Sequence, residues 1–427
     1  MKKKIAAALL LCALPPAAWA VDEESPSLAE RLNDKYGVEM LGFAETRLGA
    51  RLVDDEYEDT MSIGEARTQL RLSRDFESFL VQFKGDLLAD AVTEELNADI
   101  RELNVSFRPT DWADVKIGRM VSTWGTGDMI FINDMFPKDW QSFFIGRDDE
   151  YLKQASNVVK TGLFFGDYSL DLVYAPLFQG SEYIDGERLS YYSPAVGSIV
   201  GQNMVMEDQE PNRWFREDEF SARLATSFDQ IEAALYAYNG FWQEPEGMDM
   251  ASGKAVYPPL NVYGASARSP LFGGIGNVEV GYYDSSDDEG GSNPAVRPSE
   301  FRFLTGFERE IGQELTGSVQ YYIEAIDGYS SYEQALPAGM QARDEYRHLL
   351  TLRLTKLLMN QNLTLSLFAY YSPTDNDGSL RPKVKYKLTD QWQIDGGMNI
   401  FFGKDEHTFW GRFQDNSNAY IGLRYNF

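Results

Sequence analysis

The chain has 427 residues, a formal net charge of −27 and a single Cys. This length allows one large domain or two ordinary ones. So large an acid excess repels phosphate backbones and anionic membrane surfaces. It excludes nucleic acid and other polyanions that bind a protein through its overall positive charge.

Residues 1–20 have the pattern of a secretory signal peptide. Lys2 to Lys4 form a positive region, Ile5 to Leu14 an apolar region, and Ala18 to Ala20 a small-x-small cleavage site. We therefore predict that the mature chain starts at Val21, lacks Cys12 and carries a formal net charge of −30. No later stretch approaches the roughly 18 consecutive apolar residues of a membrane helix. A helical inner-membrane protein is thereby excluded.

After the signal peptide, segments of about ten residues alternate between apolar and polar side chains. In the segment 362–371, Leu363, Leu365 and Leu367 fall on one face, and Thr364 and Ser366 on the other. This period of two is typical of strands with one apolar face. Such strands suit either a soluble sandwich with an apolar core or a membrane barrel whose apolar face meets lipid.

The connections between these segments favour the barrel. Eight of them are very short: Asp75 to Ser78, Thr110 to Ala113, Gly166 to Ser169, Ser227 to Gln230, Pro270 to Gly273, Glu310 to Gln313, Met359 to Asn362 and Leu388 to Gln391. Six carry an aromatic residue within or beside them: Phe76, Trp112, Tyr168, Phe228, Phe272 and Trp392. Short periplasmic turns with interfacial aromatics, alternating with longer loops, are typical of transmembrane barrels.

These patterns predict an all-β protein. We expect a transmembrane, antiparallel, up-and-down β-barrel of about 18 strands over residues 36–427, in the bacterial outer membrane. Residues 21–35 are expected to form an N-terminal periplasmic segment.

A narrower resemblance covers roughly residues 63–176. The motifs are Arg101-Glu102-Leu103, Gly118-Arg119, Trp124-Gly125, Asp128, Asn133-Asp134 and Pro137-Lys138-Asp139. They resemble a poorly characterised proteobacterial family of porin-like barrels, in which a Gly-Arg-Gln strand end leads to Trp-Gly and then to Asn-Pro-x-Asp. This chain has Met120 in place of the Gln, and Phe136 where the pattern has Asn. The resemblance implies a porin-like architecture and names no reaction or substrate.

The segment from Val121 to Ser156 is long and mixes large apolar residues with charges. Such side chains need something to pack on, and connections of this length are usually functional or disordered. We predict that this third extracellular loop folds into the barrel as a constriction. Its expected members are Trp124, Gly125, Asp128, Asn133, Asp134, Pro137 and Asp139. A cap over the barrel mouth or a dimer contact remains an alternative.

Strand parity predicts a basic ladder on the inner face. Its main members are Arg67, Arg71, Arg353, Lys383, Lys385, Lys387 and Arg424. Ladders of Lys and Arg favour anions in pores. The alternative is that inward charges pair across strands and only keep the lumen wet, and a slip of one residue would invert every assignment.

Enzymatic chemistry has little support in the sequence. The chain has two His, and neither has a nearby Ser partner or zinc-ligand spacing. Asp375 to Gly378 begins like a calcium loop but lacks the remaining ligands, so a hairpin turn is expected there. We predict no enzyme, no cofactor and no metal.

The last strand ends the chain with a terminal aromatic residue. Ala419, Ile421, Leu423, Tyr425 and Phe427 form one apolar face. This face resembles the C-terminal signal, here Tyr425 and Phe427, by which outer-membrane barrels are recognised for assembly.

The sequence therefore predicts a porin-like outer-membrane channel for passive or weakly selective passage of small hydrophilic solutes, with a basic ladder that favours anions. The alternative is a non-conducting barrel that acts as a surface scaffold or as part of an export or lipid-handling assembly. Expected partners are outer-membrane lipid, lipopolysaccharide, the barrel-assembly machinery and small solutes, with no nucleic acid. The oligomeric state stays open.

Overall fold

A computed structural model of the chain describes residues 27–427. The strands are β1 Glu39–Arg51, β2 Met61–Asp75, β3 Phe79–Asp90, β4 Glu95–Thr110, β5 Ala113–Val121, β6 Ala155–Phe165, β7 Tyr168–Ala175, β8 Tyr191–Ser193, β9 Ser198–Val200, β10 Asp208–Gln209, β11 Glu219–Phe228, β12 Ile231–Phe241, β13 Gly247–Met248, β14 Ala255–Val256, β15 Pro259–Leu271, β16 Gly274–Ser285, β17 Glu300–Gly312, β18 Leu315–Ile326, β19 Tyr346–Leu358, β20 Leu363–Ser372, β21 Asp377–Lys387, β22 Trp392–Gly403 and β23 Asn418–Asn426. The helices are α1 Leu28–Tyr36, α2 Trp140–Ile145 and α3 Tyr329–Ala335, with 3-10 turns at Asp149–Leu152 and Gly411–Asn416.

Within this described range, eighteen strands form one closed antiparallel barrel. The five short strands β8, β9, β10, β13 and β14 lie outside it. Each barrel strand pairs with the next along the chain, and β23 pairs with β1 from Phe43 opposite Asn426 to Arg51 opposite Asn418. Closure leaves no unpaired strand edge. The prediction of about 18 strands in an up-and-down barrel is confirmed.

The two faces of the barrel differ in the way that the alternation predicts. On β19, Leu350 and Leu352 are exposed, whereas Leu349 and Thr351 are buried and Arg353 is half-buried. Leu350 and Leu352 belong to the outward face. In a closed barrel the exposed apolar face is the one that contacts lipid, and the polar face points inward.

All eight predicted short turns join consecutive barrel strands. Their aromatic residues are exposed at Phe76, Trp112, Tyr168, Phe228 and Phe272, as a membrane-interface girdle requires. Phe427 ends the chain at the same end of the barrel as these turns. That this end faces the periplasm stays a prediction.

Nine connections lie at the opposite end: residues 52–60, 91–94, 122–154, 176–218, 242–258, 286–299, 327–345, 373–376 and 404–417. Two of them, 91–94 and 373–376, are as short as the turns at the other end. The second contains Asp375, and it is the hairpin turn that the sequence predicts. Seven of these nine connections are therefore longer than the turns at the other end of the barrel.

Helix α1 precedes the barrel. A capping box starts it, because Ser27 accepts a bond from the backbone N–H of Glu30 and the Glu30 carboxylate accepts one from the backbone of Ser27. The first barrel strand starts at Glu39 rather than at residue 36. The predicted signal peptide lies outside the described residues. Within residues 27–427, no helix is both long enough and apolar enough to cross a membrane.

The largest buried apolar cluster joins inward-facing wall residues to side chains from the connections. Ile132 and Phe144 come from the 122–154 connection, and Trp410 comes from the 404–417 connection. They pack in a cluster with wall residues such as Tyr283 and Phe368. Part of the 122–154 connection thus belongs to the main apolar core of the protein.

Candidate functional site: the 122–154 segment and the charged inner face

Residues 122–154, called the 122–154 segment below, form hydrogen bonds or ion pairs with the inner face of eleven barrel strands. Hydrogen bonds or ion pairs join the segment to Glu279 of β16, Gln320 of β18, Arg353 of β19, Tyr370 of β20, Arg381 of β21, Asn399 of β22, Asn418 of β23, Arg47 of β1, Glu65 of β2, Lys84 of β3 and Arg101 of β4. The segment therefore touches strands on opposite sides of the ring.

Its first half is anchored by a single buried carboxylate. Glu279 is 1% exposed. Its Oε2 accepts bonds from the backbone N–H groups of Thr126 and Gly127 at 3.0 and 3.1 Å. Its Oε1 accepts bonds from the backbone and side-chain nitrogens of Asn133 at 3.1 and 2.9 Å. Hydrogen bonds from several donors stabilise a buried negative charge without a cation.

Trp124 packs between the segment and the wall. Its ring lies 5.0 Å from that of Phe136 and 6.1 Å from that of Tyr236 on β12. Gly125 follows with φ at +84°, a left-handed conformation that glycine adopts without strain. A side chain at this position would also meet Glu279. The glycine therefore permits the turn that brings Thr126 onto the carboxylate.

Three of the predicted constriction residues support the segment itself. Asp134 pairs with Lys138 at 3.1 Å and accepts the Thr123 hydroxyl at 2.8 Å. Asp139 caps helix α2 by accepting the backbone N–H of Ser142 at 2.7 Å. The Pro137 carbonyl accepts the N–H of Gln154 at 3.1 Å, which joins the middle of the segment to its C-terminal end. These groups fix its shape.

The second half of the segment is held by charge. Arg147 binds Glu65 of β2 through two nitrogens, at 2.6 and 2.9 Å. Arg188, from the 176–218 connection, binds Asp90 of β3 and lies 3.5 Å from the same Glu65. Two connections are thus tied to neighbouring carboxylates on one part of the wall.

Between these anchors lies a group of charges that are partly open to solvent, here called the charged seam. It consists of Asp128, Asp148 and Asp149 from the segment and Arg353, Arg381, Lys383 and Lys385 from β19 and β21. Asp128 pairs with Arg353 at 2.5 Å, and Asp149 with Arg381 at 3.7 Å. Asp148 lies 3.9 and 4.0 Å from Lys383 and Lys385. The exposed fraction of the side chain reaches 38% at Lys385 and 44% at Asp149.

The seam alters the acidity of its carboxyl groups. Burial alone would raise the pKa of Asp148, but the charges of Lys383, Arg424 and Lys385 outweigh it and lower the pKa to about 2. At Asp128 burial prevails over Arg353 and raises the pKa.

The predicted basic ladder divides into two groups. Three of its four arginines are hydrogen-bonded to carboxylates: Arg67 to Asp86 at 2.7 Å, Arg353 to Asp128 at 2.8 Å and Arg424 to Glu45 at 2.8 Å. Its lysines have no such bond within the described part of the chain, and Asp148 is the only carboxylate there within 4.0 Å of Lys383 and Lys385.

Arg71 and Lys387 are exposed, and neither has a carboxylate within 4.0 Å among residues 27–427. The arginines other than Arg71 thus pair with carboxylates, which is the alternative that the sequence left open. The lysines carry charges without a hydrogen-bonded carboxylate, as the basic ladder predicts.

The terminal residues lie where the barrel closes. Phe427 and Gly42 of β1 exchange backbone hydrogen bonds at 2.8 and 2.9 Å. The Tyr425 ring packs against Trp392 at 4.9 Å and against Phe427 at 6.4 Å. That these residues form an assembly signal stays a prediction.

Neither His belongs to a polar cluster of catalytic type. His348 faces outward, where its Nδ1 and the Tyr321 hydroxyl share a hydrogen bond of 2.7 Å. His407 packs edge-on against Tyr192. Residues 27–427 contain no group of three or more His, Cys, Asp or Glu arranged to hold a metal ion.

Asp148, Asp149 and Glu279 are not among the residues predicted from the sequence. The run of three acidic residues at 148–150 could have pointed to Asp148 and Asp149. Nothing in the sequence distinguishes Glu279 from other inward acids, because its role depends on which backbone groups reach it.

No family model and no curated protein match this chain. Solved structures do match. OccAB1 of Acinetobacter baumannii is 9% identical, with a TM-score of 0.57 over 92% of this chain and 97% of that one. OccK5 (OpdH) of Pseudomonas aeruginosa is 10% identical, with a TM-score of 0.55 over 91% and 97%. OccD3 (OpdP) of the same organism is 8% identical, with a TM-score of 0.55 over 92% and 91%. At such low identity these likenesses concern the fold alone. Together with the closed barrel and its apolar outer face, they show the fold of a bacterial outer-membrane β-barrel protein.

Proposed function

We propose that this barrel is a porin-like outer-membrane channel in which the 122–154 segment is a third extracellular loop, folded inward as the constriction. The observation that carries the proposal is the charged seam. Elsewhere the segment meets the wall through buried contacts such as Ile132 and Glu279. At the seam its carboxylates and the facing cations keep partial exposure to solvent, and an ion path needs such hydrated charges.

The solutes that suit this path are small and hydrophilic. Lysines 383, 385 and 387 occupy alternate positions of β21 on the inward face, about 6.7 Å apart along the strand. The spacing is within one Debye length of about 8 Å at physiological ionic strength, so neighbouring lysines act on the same ion. We propose a preference for anions on this ground.

The proposed binding partners of the barrel follow from its apolar outer face and from its last strand. Lipid and lipopolysaccharide would contact the apolar belt, and the barrel-assembly machinery would bind Tyr425 and Phe427. We propose no catalytic activity, because His348 is bonded to Tyr321 and His407 packs on an aromatic ring.

Single-channel recording of the purified protein in planar bilayers tests the channel. We expect discrete conductance steps, and a reversal potential in a KCl gradient that Arg353→Gln moves toward cations. Lys356→Gln is the matched control, because Lys356 lies on the same strand with its Nζ bonded to the Gln313 carbonyl at the rim. A folded protein without conductance would contradict the proposal.

A second candidate is the non-conducting barrel with a scaffold or assembly role. It is favoured by the extent of the buried apolar cluster, which joins Ile132, Phe144 and Trp410 to the inner wall. This candidate predicts no conductance from the wild-type protein, and conductance after deletion of residues 129–145. The channel proposal predicts that the wild type already conducts and that the deletion only enlarges the step.

A further inference from the structure

The two kinds of ladder residue differ in how closely carboxylates approach them. Arg67 and Arg424 bind their carboxylates at 2.7 and 2.8 Å, the range of charge-assisted hydrogen bonds. Lys383 and Lys385 lie 3.9 and 4.0 Å from the same oxygen, Oδ2 of Asp148. These distances allow Coulombic attraction but no hydrogen bond.

The two lysines therefore keep unused binding capacity. An ammonium group has three N–H donors and no acceptor. Residues 27–427 supply no hydrogen-bond acceptor to the side chain of either lysine. Six donors from Lys383 and Lys385 thus face one carboxylate oxygen that lies 3.9 and 4.0 Å away, beyond hydrogen-bond distance.

Asp148 is itself loosely held. Its Oδ1 accepts the backbone N–H of Glu150 at 3.3 Å, at the start of the 3-10 turn Asp149–Leu152. Its Oδ2 has only the two lysines. The side chains of this group are 18% to 38% exposed, so solvent screens these ion pairs. A small anion that reaches hydrogen-bond distance would displace it.

We infer that Lys383 and Lys385 form a binding site for the carboxylate or phosphate group of a solute, and that Asp148 is a built-in competitor occupying this site at rest. The inference rests on the proposed channel for its role, because the site would then set how long an anion stays in the path. The binding itself requires no conduction, since the site lies on the charged seam.

The test is calorimetric titration of inorganic phosphate into the full-length, detergent-solubilised barrel at pH 7. Asp148→Asn removes the charge and keeps an oxygen that can cap the 3-10 turn. We expect this variant to bind phosphate about two- to fivefold more tightly than the wild type, the factor that corresponds to an exposed ion pair. Replacing Lys383 and Lys385 with Gln should weaken binding about tenfold or more.

Asp149→Asn is the matched control. Asp149 is the next residue and pairs with Arg381, not with the lysines, so its effect on phosphate affinity should be smaller than that of Asp148→Asn. In the Lys383→Gln, Lys385→Gln background, Asp148→Asn should bring no gain. A heat-modifiable band on gels verifies that each variant is folded.

Tighter binding by Asp148→Asn that disappears without the lysines supports the inference. Unchanged or weaker binding by Asp148→Asn overturns the competitor role, and no phosphate binding by any folded variant overturns the site. Both results are independent of the bilayer recordings. A barrel that binds phosphate but never conducts would contradict the proposed channel and leave the competition intact.

Discussion

The two halves of the 122–154 segment are attached to the barrel by different kinds of interaction. Apart from Asp128, which belongs to the charged seam, the first half is fixed by buried apolar contacts and by Glu279. This carboxylate accepts hydrogen bonds from Thr126, Gly127 and Asn133. The second half is tied by the Arg147–Glu65 ion pair and then enters the partly exposed seam at Asp148. The buried half holds one side of the segment in a fixed position on the barrel wall. The hydrated, charged half can interact with ions.

The position where the halves meet is also defined. Gly146 ends helix α2 with φ at +85°, and its carbonyl accepts a bond from Arg47 at 3.0 Å. A side chain there would collide with the ring of Tyr420. The chain can therefore turn from the apolar half into the charged half only at a glycine.

Glu279→Ala is the substitution that we expect to disturb the buried half most. It leaves the donors of Thr126, Gly127 and Asn133 buried without an acceptor, which costs about 1–3 kcal/mol for each group. Hydrogen exchange of residues 124–134 in the detergent-solubilised protein should rise strongly, and exchange of residues 147–152 should rise less. Glu308→Ala, an exposed acid on neighbouring β17, is the control. Equal protection in both variants would show that apolar packing alone holds this half.

Arg147→Gln should release the charged half with a smaller effect. Glu65 keeps Arg67 at 3.5 Å and Arg188 at 3.5 Å, so the loss is about 2 kcal/mol and not that of an isolated buried charge. Exchange should increase at residues 146–152 while residues 124–134 stay protected. Arg213→Gln breaks an exposed pair with Glu217 and should change neither. If both halves loosen together, they form one cooperative unit and the distinction fails.

Replacing Lys383, Lys385 and Lys387 with Gln should leave both halves in place and change only ion preference. Three fewer positive charges on the inward face of β21 would move the reversal potential in a KCl gradient toward cations. Wild-type exchange protection together with this shift would confirm that the seam has a role apart from anchoring. An unchanged reversal potential in a folded, conducting triple variant would assign selectivity to another part of the segment.

The smallest expected effect is a pH dependence outside the seam. Burial raises the pKa of Glu58, in the connection 52–60, to about 7. Because this pKa is above the ordinary value of 4.5, burial favours the protonated form of Glu58 in the folded connection, although Gln202 donates hydrogen bonds to both carboxylate oxygens. The stabilisation is lost as pH rises from 4.5 through 7.

A spin label at residue 204 should therefore become more mobile at pH 8 than at pH 5. Glu58→Gln should abolish that difference. Asp148, with a pKa of about 2, stays charged throughout this range and should not contribute to the difference. A pH response that persists in Glu58→Gln would point to a different group.

Much of the architecture was predictable because it depends on local periodicity. Alternation of apolar and polar residues fixed which side chains share a strand face, and the eight short turns fixed where strands end. Both patterns act over two to ten residues. The same alternation placed Lys383 and Lys385 on the inner face of β21, where both lysines lie near Asp148.

The site was predictable only in outline. The sequence indicated a packed segment at 121–156 and a basic inner face. It could not show that Asn133, Asp134 and Asp139 would support the segment, whereas Asp148 and Asp149 would face the wall. The type of charge is visible in a sequence, but the partner of a charge is set by contacts across as many as 379 positions, as at Arg424 and Glu45.

By itself, the sequence determined the class of the molecule: a barrel of about 18 strands with an apolar exterior, short aromatic turns and an inward row of basic residues. Only the tertiary structure decided which of those basic residues are neutralised. Arg67, Arg353 and Arg424 meet carboxylates at hydrogen-bond distance, and Lys383 and Lys385 do not. Periodicity places a side chain on a face, whereas its free charge depends on how closely a carboxylate from a distant part of the chain approaches.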